Sequence, residues 1–451
     1  MTRAENLHRT AKQLFESGQA SSFAEAEELL RRLVLQVDVG SDLHVRPAEQ
    51  AALMTSINAG ARAFLGGVRV RLVDDRPLGV GWAAGASTSV VSARFGGELV
   101  SELDPSLPTI AINSPQAVGS VIMHTRCVGW SGGVVQDARE RGEGDGMPLA
   151  GVVAGGLAVS EAFQHACRAP EAARRDVGVS LWEPGTDWRS CSVGPALAFL
   201  PLSLWLLGLG HLGQAYAWSL GMLPYQQRGD LTAYLVDTDF LIPGNLATGL
   251  LSTESDVRSR KSRVVAAALE SRGFKTAIVE RLFDEHIWPS ADEPTLALAG
   301  FDSPVPRAVL GDERFARVVD AGLGRGAVEY LDMVLHTFPS QLSPATEFAA
   351  RQPSQGELPE LYSSEIDDLV AAGASRAEAE CGMAEIAGIS VAASFVGGVA
   401  GALAVADVLR SLHGGREIAI LQLDLRTPNE LAVVDNRAAD GANPGFVRLC
   451  R

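Results

Sequence analysis

The sequence predicts an α/β protein built around a parallel sheet, and three features lead to this fold class. Residues 204–207 form an apolar run typical of a buried strand, and they lead into a glycine-rich turn and a helix. A second apolar strand, residues 233–236, follows that helix and ends in two carboxylates. A Gly/Ala-rich segment occurs twice in the chain. Strands that alternate with helices in this way are typical of a doubly wound, Rossmann-like sheet.

The elements before residue 200 are predicted from periodicity. Residues 5–65 have a helical pattern, and Ser22 is a candidate N-cap of an acidic amphipathic segment. Residues 68–73 alternate apolar and polar side chains like a strand, and residues 109–113 form a second strand-like run. We therefore expect a helical segment followed by a sheet.

The Gly/Ala-rich segment suggests that the fold is duplicated. Residues 150–163 align with residues 396–409, with seven of fourteen positions identical at an offset of 246. A repeated unit would make residues 40–175 a second copy of the later domain, without its glycine-rich turn. The alternative is that two Gly/Ala-rich helices resemble each other through composition alone.

Composition and charge narrow the class of protein. A chain of 451 residues with 47% hydrophobic residues is long enough for two or three domains with real cores. Acidic residues outnumber basic ones by 54 to 38, which gives a net charge of −16. Because a nucleic-acid-binding surface should be basic, this balance argues against general nucleic-acid binding.

The cysteines and the apolar segments predict a cytoplasmic protein. Five widely spaced cysteines do not form a disulfide framework, so reduced thiols are expected. The charged N-terminus does not resemble a signal peptide. Residues 389–409 are apolar enough to imitate a membrane span, but their Gly, Ala and Ser content favours a buried core helix. We expect no membrane association.

The glycine-rich turn predicts a nucleotide site. Its pattern is G-x-G-x-x-G, formed by Gly208, Gly210 and Gly213. These glycines allow a tight turn, close approach of backbone N–H groups to a phosphate, and close packing of helix on strand. The N-terminus of the following helix favours an anion. Asp237, at the end of the second strand, is placed to hold a ribose hydroxyl.

Further polar residues follow at fixed spacing and extend this pattern. Asp239 comes next, Asn245 lies eight residues after Asp237, and Lys261 lies sixteen after Asn245. A lysine that opens a helix can neutralise a polyphosphate. With the strand that ends near Asp302, this order resembles the ubiquitin-activating, E1-like adenylyltransferase family. That family includes the bacterial enzymes that activate sulfur-carrier proteins. The resemblance covers about residues 200–430.

The resemblance implies an E1/ThiF-type adenylation fold with ATP and Mg²⁺ as cofactors. It implies that Lys261 neutralises the phosphates and that Asp302 handles Mg²⁺. The remaining nucleotide-binding residues implied are Gly208, Gly210, Gly213, Asp237, Asp239 and Asn245. The implied reaction is adenylation of the C-terminal carboxylate of a small ubiquitin-like protein or peptide, with an E2-like conjugating enzyme as a possible partner. Asn245 as a turn residue and Lys261 as a solvated charge are the structural alternatives.

Three departures from the family pattern bear on activity. Thr248 stands where the family has a phosphate-contacting arginine, so either Arg258, Arg260 or Arg263 replaces it or adenylation is weakened. No C-x-x-C occurs, which argues against a structural zinc. His211 stands at a turn position that is often glycine, and we expect it to be exposed.

Cys381 is a candidate nucleophile. It matches a family cysteine that forms a thioester or persulfide, and it is the last residue of a predicted crossover loop, residues 340–381, after a long polar segment at residues 352–380. A thiol near a helix N-terminus would have a lowered pKa. The alternative is a small buried apolar residue without a chemical role.

The predicted organisation has three parts. Residues 1–40 form a helical segment, residues 41–190 a degenerate, inactive adenylation-like domain, and residues 200–450 the active domain. Because E1-like enzymes pair two such folds, we expect a homodimer or an intramolecular pseudo-dimer. A catalytically inactive scaffold and an NAD-dependent oxidoreductase are the alternative functions. Lys261 and Asp302 argue against the oxidoreductase, since hydride transfer does not require them.

Overall fold

The structure is a computed structural model, and it describes most of the chain. The residues described are 3–83, 85–142, 146–190, 193–227, 229–311, 314–349, 358–436 and 445–449. Cys191, Cys450 and residues 350–357 of the predicted crossover loop lie outside these ranges.

The chain begins with three helices: α1 (Arg3–Asn6), α2 (Arg9–Glu16) and α3 (Phe23–Arg32). Ser22 caps α3, since its Oγ accepts a hydrogen bond from the backbone N of Glu25 at 3.1 Å, which confirms the predicted N-cap. The helical prediction for residues 5–65 is wrong at residues 35–39, which form a buried strand. The apolar face of α3 runs directly into that strand, so the sequence pattern hides the change of period.

The first sheet has seven strands and three main helices. In chain order its elements are β1 (Leu35–Val39), α4 (Pro47–Ala63), β2 (Val68–Leu72), α5 (Thr88–Arg94), β3 (Gly97–Leu99), β4 (Thr109–Ile112), β5 (Ile122–Val128), β6 (Ser131–Val135), α6 (Pro148–Ala166) and β7 (Val177–Ser180). The strand order is β3-β2-β1-β4-β5-β6-β7. The first five strands are parallel, whereas β6 and β7 are antiparallel to their neighbours. Since β1 lies in this sheet, the sheet begins before the boundary predicted at residue 40.

The second sheet has eight strands. Its unit contains β8 (Phe199–Pro201), β9 (Ser203–Leu207), α7 (His211–Met222), β10 (Thr232–Val236), α8 (Lys261–Ser271), β11 (Lys275–Val279), β12 (Leu296–Ala299), α9 (Pro304–Ala308), β13 (Arg317–Leu323), β14 (Asp332–Phe338), α10 (Pro344–Ala349), α11 (Ser363–Ala371), α12 (Arg376–Gly388), α13 (Ser394–Leu412), β15 (Ile418–Asp424), β16 (Ala432–Asp435) and β17 (Phe446–Arg448). The strand order is β11-β10-β9-β12-β13-β14-β15-β16, and β17 pairs with β8 separately.

The two sheets share one topology. In each, the first strand lies between the second and the fourth, and the last strands are antiparallel. In each, a long Gly/Ala-rich helix, α6 or α13, precedes the antiparallel strand β7 or β15. The predicted α/β fold with a pseudo-symmetric second copy is therefore confirmed.

Glycines of the repeat set the helix packing between the sheets. Gly155 on α6 and Gly401 on α13 are equivalent in the sequence repeat. A Cβ on Gly155 would lie 2.6 Å from the carbonyl oxygen of Ala52, and one on Gly401 would lie 2.6 Å from that of Ala215. Each glycine thus lets its helix approach the first helix of its own sheet, α4 or α7. The repeat reflects a shared packing requirement as well as composition.

Helix α13 is the core of the molecule. It is long and apolar enough to cross a membrane, but 89% of its most apolar stretch is buried within the protein. It packs on α7, α6 and α4. The interpretation of residues 389–409 as a buried core helix is confirmed for the helical part of that segment.

The predicted crossover loop is largely helical where the structure describes it. Helices α11 and α12 lie between β14 and α13, and they pack against the N-terminal helices. The rings of Phe15, Phe23 and Tyr362 form one cluster, with centroids 4.3–6.1 Å apart. Buried side chains on one face of α12, Ala379, Met383 and Ile386, explain why this polar segment folds as a helix.

Candidate nucleotide site

The predicted nucleotide residues converge at one edge of the second sheet. Strand order reverses at β9, which lies between β10 and β12. The carboxyl ends of these three parallel strands carry Gly208, Asp237 and Asp302. In open α/β sheets, ligands bind in the crevice at such a reversal.

The three glycines of the turn have distinct environments. Gly208 has a φ of 80°, a conformation that favours glycine, and lies against the carbonyl of Gly300 after β12. A Cβ on Gly213 would overlap the carbonyl oxygen of Gly208, so only glycine permits this approach of α7 to the turn. A Cβ on Gly210, the N-cap of α7, would meet nothing within 4 Å. The space beside Gly210 is therefore open at the positive end of a twelve-residue helix.

Asp237 is held by the turn itself. Its Oδ2 accepts a hydrogen bond from the backbone N of Leu209 at 2.6 Å, and its Oδ1 accepts one from that of Asp239 at 2.7 Å. Burial raises the pKa of Asp237, and the charge of Lys261 opposes this shift. The carboxylate thus links the ends of β9 and β10 at the place where a ribose would lie.

Lys261 is anchored at the start of α8. Its Nζ lies 2.8 Å from Oδ2 of Asp239, and its backbone N donates to the carbonyl of Asp239 at 3.0 Å. The lysine side chain is 13% exposed, whereas that of Asp239 is 67% exposed. The ammonium is therefore positioned by Asp239 at the edge of the site.

Asn245 has a structural role in this arrangement. Its Oδ1 accepts a hydrogen bond from the backbone N of Ile242 at 3.0 Å and closes a short 3-10 turn at Pro243–Ala247. Its carbonyl accepts the backbone N of Thr248 at 3.1 Å. In the described part of the chain, the Nδ2 of Asn245 donates no hydrogen bond, so the amide could still serve a ligand.

The three arginines predicted to replace the family arginine differ in availability. Arg263 pairs with Glu280 at 2.8 Å, and Arg260 donates to the carbonyl of Thr238 and lies 4.4 Å over the ring of Phe240. Arg258 is exposed at a left-handed position, with a φ of 73°. Within the described residues it forms no ion pair, so it is the most available of the three. Thr248 itself is buried.

Asp302 lies exposed just after β12. No group of three or more His, Cys, Asp or Glu side chains suited to a metal occurs in the described ranges. A single carboxylate fits Mg²⁺ that arrives with a polyphosphate, because Mg²⁺ is commonly bound through one or two carboxylates, phosphates and water.

Arg9 was not predicted from the sequence, yet the structure brings it to this site. Burial lowers its pKa, and the nearby Asp302 carboxylate opposes the shift. The Arg9 charge also contributes to a lowered pKa of His211 at the start of α7. The charge of Arg9 therefore acts on both Asp302 and His211, the first residue of α7. The only signal in the sequence is its place in a basic, amphipathic N-terminal stretch.

Helix α2 is fixed over the site by hydrogen bonds to the segment that joins α12 and α13. Thr10 donates to the carbonyl of Ala392 at 3.1 Å, and Nζ of Lys12 donates to that of Ala387 at 2.9 Å. Arg9 reaches the carbonyl of Ser390 at 3.4 Å. Lys12 thus binds a carbonyl in the last turn of α12, where carbonyls have no partner within the helix, and Thr10 and Arg9 bind the segment that follows.

The expectation that His211 is exposed is wrong. Its Nε2 is buried without a hydrogen-bond partner, and burial lowers the pKa of the imidazole to about 4. The ring is enclosed because α13 passes directly over the start of α7.

Cys381 is exposed on α12, six residues into a helix that begins at Arg376. The expected location at a helix N-terminus is therefore not observed, and the buried alternative is excluded as well. The thiol remains accessible to a partner. Ala387, which Lys12 holds, lies six residues further along, about 9 Å at the rise of an α-helix.

The equivalent edge of the first sheet is closed. Asp38 on β1 is fully buried and forms a two-point ion pair with Arg71, with both distances 2.8 Å. The hydroxyl of Ser114 donates to the same carboxylate at 2.6 Å. Side chains thus occupy the crevice that the glycine turn leaves open in the second sheet.

Comparison with known proteins identifies the family. Residues 34–181 match the BilD N-terminal domain and residues 200–415 match the BilD C-terminal domain. The chain is 37% identical over 418 residues to the bacterial E1-like protein BilD of Collimonas sp. (strain OK412), covering 91% of this chain and 89% of that protein. The chain belongs to the BilD family of bacterial E1-like proteins. The two matched regions contain the first sheet and most of the second.

Similar solved structures are distant. E. coli MccB is 13% identical, with a TM-score of 0.34, over 70% of this chain and 92% of that chain. E. coli MccB with ATP is 15% identical, with a TM-score of 0.34, over 52% of this chain and 63% of that chain. PaaA is 11% identical, with a TM-score of 0.31, over 52% and 72%. No functional conclusion about this chain follows at these TM-scores.

Proposed function

We propose that this BilD-family protein is an activating enzyme that uses Mg-ATP to adenylate the C-terminal carboxylate of a small ubiquitin-like protein or peptide. The observation that carries the proposal is the open space beside Gly210. The N-terminus of α7 opens at this space, and Asp237 and Lys261 follow the neighbouring strand β10 at the same edge of the sheet. The E1-like character of the family supports adenylation over other uses of such a site.

In the proposed reaction, an oxygen of the substrate carboxylate attacks the α-phosphorus of ATP. The bond from the α-phosphorus to the bridging oxygen breaks, and pyrophosphate leaves with the electron pair. An acyl-adenylate remains on the enzyme. Asp237 would hold the ribose, and the N–H groups at the start of α7 would bind phosphate oxygens. Catalysis consists of positioning two anions and neutralising the charge that develops on pyrophosphate.

Positive charge for this step would come from residues on three separate elements. Lys261 at the start of α8 is held by Asp239. The charge of Arg9 on α2 acts on Asp302, and Arg258 is exposed in the segment between Thr248 and α8. Mg²⁺, held by Asp302 and the phosphates, would supply further neutralisation of the leaving group when bound.

Cys381 is the proposed acceptor in a second step. The thiolate sulfur attacks the carbonyl carbon of the acyl-adenylate, the bond to AMP breaks, and a thioester forms. AMP leaves with the electron pair, and the thiol proton passes to water. Exposure of Cys381 and the attachment of α12 to α2 near Arg9 support this role. An E2-like partner would then receive the acyl group from the thioester.

The pairing of two adenylation-type folds is proposed to be intramolecular. The first sheet supplies α4 and α6 to the interface, and Arg62 on α4 donates to the carbonyls of Gly249 and Ser252 at 3.0 Å. This guanidinium supports the loop that follows Thr248. The closed edge at Asp38 is consistent with a first copy that stabilises the second without binding nucleotide itself.

An assay of pyrophosphate exchange into ATP tests the proposal. Exchange should depend on Mg²⁺ and on a ubiquitin-like protein with a free C-terminal carboxylate, and it should be lost in Lys261→Ala. Lys275→Ala removes an exposed lysine on β11 and is the matched control. Absence of exchange with such substrates, despite ATP binding, would contradict the proposal.

A catalytically inactive E1-like scaffold is the second candidate. Thr248 favours it, because the residue that replaces the family arginine is buried and carries no positive charge for the phosphates. The scaffold would bind the partner protein without Mg-ATP dependence. NAD binding in place of ATP would instead support the oxidoreductase alternative.

A further inference from the structure

A second cavity lies between the two repeats, away from the glycine turn. It has a volume of about 680 Å³, within the size range of sites for small ligands. The residues that line it are Gly81, Trp82, Arg94, Tyr225, Gln226, Gln227, Ser271, Arg272 and Phe274. The first three belong to the first repeat and the others to the second.

Among the residues that the structure describes, two arginines and no carboxylate line the cavity. Arg272 donates to the carbonyls of Gly221 and Leu223 at 3.0 and 3.3 Å, and Arg94 donates to that of Trp82 at 3.0 Å. Neither guanidinium forms an ion pair within the described ranges of the chain. Each therefore keeps N–H donors that these carbonyls do not use.

Arg272 is the more unusual of the two. It is half-buried, and burial lowers the pKa of its guanidinium without an opposing contribution from an acidic side chain. A buried charge normally has an opposite charge as its partner. The chain contains more acidic than basic residues, so the sequence does not lack carboxylates that could pair with an arginine. Among the described residues, the guanidinium of Arg272 has two carbonyls and the ring of Phe274, 5.7 Å away, as partners but no anion, so its remaining N–H donors are available to an anion from outside the chain.

The remaining lining fits a ligand with a flat ring and an anionic end. Trp82 is half-buried and stacks on Trp218 at 5.8 Å between centroids. The guanidinium fork binds phosphate at two points, whereas an indole face accepts a base by stacking. Asp230 lies nearby, but it accepts the backbone N of Gln227 at 2.9 Å and does not line the cavity.

We propose that this cavity binds a phosphate-bearing molecule of nucleotide size, through Arg94, Arg272 and Trp82. The site is separate from the one at the glycine turn. The two sites lie at opposite ends of α7 and α8, which begin at His211 and Lys261. A helix of twelve residues spans about 18 Å, so one ligand cannot occupy both sites.

Calorimetric titration with ADP tests the proposal in the full-length protein. The wild type should bind two equivalents. Lys261→Ala should retain the site at the cavity, whereas Arg94→Gln with Arg272→Gln should weaken binding there at least tenfold and retain the site at the glycine turn. Arg32→Gln, at an exposed position on α3, is the matched control. Arg94→Gln alone, at an exposed side chain, keeps the test valid if loss of Arg272 prevents folding.

The outcomes separate this proposal from the proposed function. Loss of all ADP binding in Lys261→Ala, or unchanged binding of two equivalents in the arginine variants, would overturn the second site. Loss of only the site at the glycine turn in Lys261→Ala supports it, whatever the enzymatic activity. A parallel titration with inorganic triphosphate distinguishes a nucleotide from a phosphate chain, since only a nucleotide should lose affinity in Trp82→Ala.

Discussion

The imidazole of His211 packs against the bare Cα of Gly397, so that a Cβ at residue 397 would overlap Nε2. In the first repeat, the equivalent of Gly397 is Gly151, which packs equally closely but on the backbone carbonyl of Ala48. The second repeat therefore has an imidazole between its two central helices where the first has a direct backbone approach. This contact lies at the start of α7, where we propose that the phosphates bind.

Gly397→Ala should destabilise the protein by about 1–3 kcal/mol, because the added methyl group overpacks this contact. In His211→Ala with Gly397→Ala, the space left by the ring accommodates the methyl group, so part of the loss should be recovered. Denaturant unfolding of the three variants measures the coupling. Strictly additive effects would show that the two residues do not share the space.

Stability should depend on His211 between about pH 4 and 6.5. Burial, then the Arg9 charge, lowers the folded-state pKa to about 4 from 6.5, so the unfolded state binds the proton first as pH falls. Stability is therefore complete above pH 6.5 and decreases towards pH 4, by up to roughly 1.4 kcal/mol per pH unit. His8, with a pKa also lowered to about 4 by burial, adds a similar dependence.

Unfolding measured over this pH range in wild type and His211→Ala checks the assignment. The variant should show a smaller slope, with the His8 contribution retained. An identical slope in both proteins would mean that His211 is protonated in the folded state as readily as in the unfolded state.

Gly210→Ala should mainly weaken ATP binding, whereas Gly213→Ala should mainly lower the stability of the protein. A Cβ at residue 210 enters open space, so the variant should fold and bind Mg-ATP at least tenfold more weakly. A Cβ at residue 213 overlaps the carbonyl of Gly208, so this variant should lose stability first. Circular dichroism melting and ATP titration separate the two effects. Normal ATP binding by a folded Gly210→Ala protein would place the phosphates elsewhere.

Arg9→Ala should lower the rate of adenylation by about tenfold to a hundredfold, because it removes a charge beside Asp302. Arg9→Lys should restore part of the rate, since charge matters as well as hydrogen bonding. Arg32→Ala, which removes an exposed arginine on α3, should have no effect. Equal rates in wild type and Arg9→Ala would exclude a role for Arg9 in adenylation and leave it only its hydrogen bond to the 387–392 segment.

Cys381→Ala should leave ATP binding and adenylate formation unchanged, since the thiol lies on the exposed face of α12. It should abolish a hydroxylamine-sensitive adduct with the partner protein, detected by intact mass. Cys167→Ala is the matched control, because burial raises the pKa of that thiol to about 12 and keeps it unreactive. An adduct that persists in Cys381→Ala would exclude the thioester at this residue.

Much of the fold was predictable because its signals are local. The apolar strand at Ser203–Leu207, the glycine turn and the carboxylates after β10 follow one another in sequence. The glycine repeat between α6 and α13 also predicted the second copy, because equivalent glycines meet equivalent backbones. Residues 35–39 were mistaken for helix, since an amphipathic pattern continues into that strand.

Features that depend on tertiary packing could not be predicted. The Nε2 of His211 is buried because α13 crosses the start of α7, and the charge of Arg9 acts on Asp302 because α2 docks on the 387–392 segment. The helical state of residues 376–388 depends on contacts of Met383 and Ile386 with the rest of the protein. The roles of individual residues in binding and catalysis remain predictions.

Titration of Mg-ATP into the wild-type protein and into Lys261→Ala, with a parallel titration of NAD into the wild type, tests the central claim most directly. We predict that Mg-ATP binds at the glycine turn, that Lys261→Ala abolishes this binding event, and that NAD does not compete for it. Failure of Mg-ATP to bind at a site sensitive to Lys261 would contradict the account and favour an inactive scaffold. Binding of NAD at that site would favour the oxidoreductase.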